Sequence, residues 1–104
     1  MVDRGNVLNL VEQAVQHLAV GEEEVKWRLR NAYMYNLQYV FPEYLPKDLA
    51  PLLVSIRKRL TKEPSYNGQS TVESALYRMH RSTASKIAAD IFDLYLSLSR
   101  QSIR

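Results

Sequence analysis

Cysteine is absent from the 104 residues. That removes disulfide staples, thiolate zinc sites and thiol nucleophiles together, and it fits a reducing compartment. Glycine occurs only three times, so no glycine-rich loop is available to cradle a phosphate. No run approaches the roughly 18 consecutive apolar residues that cross a bilayer, so no membrane partner is expected. Met1–Asn6 lacks the apolar core and small-residue cleavage site of a secretory signal. The expected location is therefore the cytoplasm. Alternating apolar and polar runs of strand length are missing, as are internal repeats and low-complexity tracts.

What remains is ordinary in composition and strongly helical in pattern. Hydrophobic residues make up 46% and charged residues 24%, proportions of a folded chain and not of a disordered one. The length supports one modest core and hence one domain. Four helices are expected, over about 6–20, 22–40, 48–62 and 70–99. In the first, Asn6 is placed to cap, Val7, Val11, Ala14, Val15 and Leu18 form the inner face, and Gly21 stands where a C-cap tolerates positive φ. The second opens on Glu22, Glu23 and Glu24, which complement the helix dipole, and carries Val25, Leu29, Ala32, Tyr33, Leu37 and Val40. Pro42 ends it. Asp48 is placed to cap the third, Pro51 fits its first turn, and Leu49, Leu52, Leu53, Ile56 and Leu60 make its stripe. A loop follows over Lys62–Gln69, broken by Pro64 and Asn67-Gly68.

The last third reads as one long helix. Ser70 and Glu73 have the spacing of a capping box, and Val72, Leu76, Met79, Thr83, Ile87, Ile91, Leu94 and Leu98 recur at steps of three and four. Such a helix would be roughly 40 Å long, nearly twice its neighbours. The expected architecture is an antiparallel four-helix bundle with a long C-terminal helix. An overlong apolar stripe leads to the expectation of a homo-oligomer, most simply a twofold dimer. Phe92, Tyr95 and Leu96, beside that stripe, are its candidate contacts. The seven tyrosines are the compositional outlier. Tyr35 and Tyr39, four apart on the second helix, join the candidate interface, since tyrosine buries its ring while its hydroxyl finds a partner.

The net charge is +3, but the cations are clustered. Arg57, Lys58, Arg59 and Lys62 lie at the end of the third helix, and Arg78 and Arg81 on the fourth. Such cations most often complement a helix C-terminus or solvate an exposed face. The alternative is an RNA- or DNA-binding accessory protein that uses these six residues on phosphates. No recognition-helix, RNP, KH or zinc-finger pattern accompanies them. Catalytic signals are weaker still. His17 and His80 have no carboxylate at relay spacing, and Asp90 with Asp93 lacks a histidine partner, so no metal site and no cofactor are expected. The reading is a small non-enzymatic helical protein that acts through protein–protein interaction, self-association first.

Overall fold

Stripes of apolar residues at helical spacing leave little choice but to pack helix on helix. The computed structural model describes residues 4–63, 68 and 70–102, with only the backbone of Arg4, Gly5 and Ser102. Every regular element among them is helical. They are α1 (Arg4–Val20), α2 (Val25–Tyr35), α3 (Ala50–Leu60), α4 (Thr71–Arg78) and α5 (Arg81–Ser102). Two single-turn 3-10 segments, Leu37–Tyr39 and Pro42–Tyr44, link α2 to α3. Most of the loop expected over Lys62–Gln69, including Tyr66, lies outside the described residues.

The core draws on every helix. α1 supplies Val7, Val11 and Ala14, α2 supplies Leu29, Ala32 and Tyr33, and α3 supplies Leu53, Ile56 and Leu60. Against these lie Ala84, Ile87, Ile91, Leu94 and Leu98 of α5, which touches α1, α2 and α3. Burying each leucine or isoleucine side chain in this cluster stabilises the fold by about 1.5–3 kcal/mol. α4 instead lies against α2 and α3, with Val72 and Leu76 inward.

The expected long helix is two helices. Met79 ends α4 with extended backbone (φ −82°, ψ 144°), and α5 starts at Arg81. The capping box forms as expected: Ser70 Oγ accepts from the Glu73 N–H, and Glu73 Oε1 accepts from the Ser70 N–H. The run His80-Arg81-Ser82-Thr83 favours helix only weakly, so continuity there has little to defend it. The pieces are about 12 and 33 Å long by the helical rise. Leu94 and Leu98 also bury the C-terminal half of α5 within the chain. α5 is still twice as long as α2 and α3, but its apolar stripe is covered within the chain by α1, α2 and α3.

The second helix is also shorter than expected. It stops at Tyr35, and buried Asn36 turns the chain, donating from Nδ2 to Gln13 Oε1 at 2.9 Å. Leu37 and Val40 still reach the core, but from the 3-10 turn and its exit. Asp48 does not cap α3. Leu49 holds the N-cap position, while Asp48 Oδ2 accepts from Gln101 Nε2 at 3.2 Å.

Gly21 has a different role from the expected one. Among the described glycines only Gly68 has positive φ, at 77°. Arg28 reaches back from α2 over the end of α1, donating to the carbonyls of Leu18 at 2.7 Å and Glu23 at 2.8 Å. It thus serves an orphan carbonyl that a glycine C-cap would otherwise satisfy. A Cβ on Gly21 would stand 2.7 Å from Arg28 Cγ and 2.8 Å from the His17 carbonyl oxygen. Glycine is required by that close approach. Gly21→Ala is accordingly expected to lower the unfolding free energy by about 1–3 kcal/mol in urea titration, despite alanine's better helix propensity. A gain in stability would contradict this reading.

Candidate protein-interaction surface

Two short side-chain rows, one on α2 and one on α4, build a groove on the described surface. Lys26 and Trp27 lie four and three residues before Arg30, so each neighbours it on one side of α2. Glu73, Leu76 and Tyr77 repeat that spacing on α4. Together with Glu24 they line a cavity of about 350 Å³. Arg30 ties the walls together, its Nε donating to Glu73 Oε2 at 2.9 Å. Its guanidinium carbon stands 5.3 Å from the centre of the Trp27 ring, a cation–π contact that steadies the indole. Even so, Trp27 remains 54% exposed and Tyr77 79%. At the rim, Arg81 Nε donates to Glu24 Oε1 at 2.9 Å and links the start of α5 to the groove.

Glu73 carries two jobs. Its carboxylate accepts from the Ser70 backbone N–H, and that bond is the main reason its pKa lies below the ordinary value of 4.5. The hydrogen bond and charge of Arg30 lower it further, against an opposing effect of burial. Both oxygens are thus committed, one to each helix.

The residues of the expected interface are scattered. Tyr35 is exposed and stacks on His17 of α1, with ring centres 5.6 Å apart. Tyr39 is exposed on the 3-10 turn after α2 ends, so the four-residue spacing does not place it over Tyr35. Phe92, 46% exposed, and half-buried Leu96 do share a flank of α5. Tyr95 packs against the core, its ring 6.4 Å from that of Phe92.

The basic residues are largely engaged within the chain. Arg57 is half-buried and donates to the carbonyls of Leu37 and Val40, with its guanidinium over the Phe41 ring. It clamps the connection between α2 and α3. Arg59 pairs with Asp90 at 2.6 Å, and Arg78 lies 3.8 Å from Glu63. Arg81 is held by Glu24. Lys58 and Lys62 are exposed and have no ion pair among the described residues. A shallower depression on α3, lined by Lys47, Ala50, Pro51, Val54, Ser55, Lys58 and Arg59, carries cations alone.

Chemically, the groove offers aromatic faces and charges that are already mostly paired. No three His, Asp or Glu side chains among the described residues are placed to hold a metal ion. The arrangement is suited to contact. Neither Trp27 nor Tyr77 is among the contacts expected from the sequence. Their matching rows were visible, but the meeting of residues 43 apart in the chain was not.

The lowered pKa of Glu73 makes its contribution to stability pH-dependent. The contribution is present above the unfolded value near 4.5 and is lost as pH falls through the lower folded value. Glu73→Gln keeps a side chain suited to the capping box but loses the charge that meets Arg30. Chemical denaturation should show the variant less stable at neutral pH, by under about 1 kcal/mol for so accessible a pair. The gap should close in acid below that range. A pH-independent gap would contradict the assignment. Compared with known protein families, curated proteins and solved structures, the chain matches none.

Proposed function

We propose that this chain is a non-enzymatic cytoplasmic protein that works by protein contact, with self-association first. The observation that supports this reading is the number of large aromatic rings left in solvent. Trp27, Tyr35, Tyr39 and Tyr77 are each more than half exposed, and Phe92 is nearly so. Scattered exposed apolar residues are normal. Trp27 and Tyr77, however, flank one concave groove, and Phe92 and Leu96 sit together on α5, as contact surfaces do. Tyr35, Tyr39 and Tyr95 extend the candidate surface around the molecule. A closed twofold dimer is the simplest assembly.

Protein contact is favoured over nucleic-acid binding by the fate of the cations. The latter reading calls on Arg57, Lys58, Arg59, Lys62, Arg78 and Arg81. Four of these already meet acceptors of the chain itself. Freeing Arg57 would strand the carbonyls of Leu37 and Val40, and freeing Arg59 the part-buried carboxylate of Asp90.

The test is light scattering after gel filtration at tens of micromolar protein, with and without mixed RNA and DNA at two salt concentrations. The expected mass is a multiple of the 12.1 kDa monomer, unchanged by nucleic acid. A strict monomer would contradict self-association. Submicromolar, salt-sensitive nucleic-acid binding would promote the other reading.

A further inference from the structure

We infer that the α2–α4 groove is the seat of a second copy of this chain, docked about a twofold axis; this rests on the self-association reading above. Charge distribution separates this groove from the other surfaces. It is lined by two carboxylates, Glu24 and Glu73, and two cations, Lys26 and Arg30. A twofold contact sets a face against its own copy, so balanced charges of both signs complement themselves. The α3 depression fails that requirement, because no carboxylate lines it and Lys47 and Lys58 would meet the same cations.

The charges also survive desolvation well. Glu73 and Arg30 satisfy one another, and Glu24 is held by Arg81. Covering them strands no bare charge, the situation that makes buried ions costly. Lys26 is the exception: it is half-buried and has no ion pair among the described residues. Across a twofold axis its partner is Glu24 of the other copy, of which only Oε1 is engaged by Arg81.

Shape and rigidity favour the same surface. Trp27 and Tyr77 rise beside a cavity floored by Leu76, and tryptophan and tyrosine carry binding energy at interfaces more often than most residues. Arg30 fixes Trp27 while Glu73 fixes Arg30, so little ordering is left to do on docking. A stable dimer covers about 800 Å² on each partner. That is roughly an eighth of the 6585 Å² of accessible surface here.

Trp27 is the only tryptophan, so its fluorescence reports on this groove alone. The experiment follows emission and sedimentation mass of the full chain from about 1 to about 200 µM. Emission should move to shorter wavelength as mass rises. Tyr77→Glu should weaken self-association at least about tenfold, and Lys26→Glu should weaken it in the same direction. Tyr77 and Lys26 lie outside the core, and circular dichroism verifies that both variants remain folded. Val54→Glu, a comparable change at an exposed position of α3, should leave association unchanged. Two outcomes overturn the inference while leaving self-association intact. One is a wild-type dimer indifferent to both groove variants. The other is a dimer dissociated by Phe92→Lys and not by Tyr77→Glu. A wild-type chain that stays monomeric throughout fails the underlying reading, and the inference falls with it.

Discussion

The inner face of α5 is the constraint on which the rest of the fold depends. Ala84, Ile87, Ile91, Leu94 and Leu98 are buried, and α1, α2 and α3 all rest on this helix. Close packing against one shared element couples the three docked helices, since a volume change at Ile91 is felt by whichever helices touch it. A fold in which α5 failed to form would leave three apolar stripes without a common partner.

What α5 does not organise is α4, and the groove exists for that reason. A continuous helix would carry Val72 and Leu76 along the α5 axis. The break at Met79 and His80 instead lets α4 lie on α2 and α3, with its opposite edge at Trp27 and Arg30. Glu73 then joins local and tertiary structure: one oxygen closes the N-terminal turn of α4, and the other holds α2. Such a link is worth little as an exposed ion pair. Its larger effect is to fix where the two aromatic rings stand.

Legibility in the sequence followed the range of the interaction. The apolar stripes were readable because burial is periodic, and nearly all of their members are buried or half-buried as expected. The capping box was readable because its partners are three residues apart. The helix breaks were not. No proline or glycine marks Met79–His80, and at Asn36 the turn is specified by a bond to Gln13 on another helix. Because the break after Met79 spans so few residues, the three-and-four spacing of buried positions runs through it unchanged. Arg57 reads as a solvated cation at a helix end, yet its carbonyl partners belong to a turn 17 and 20 residues earlier. The groove depends on the same kind of distant meeting, between Arg30 and Glu73.

The central claim is that aromatic and balanced charged residues on α2 and α4 form a self-complementary face. Backbone amide shifts recorded by NMR during serial dilution test it most directly, since they locate association without altering a residue. The account predicts concentration-dependent shifts concentrated at residues 24–30 and 73–77. Shifts centred instead on Phe92 and Leu96, or an unchanging spectrum, would contradict it.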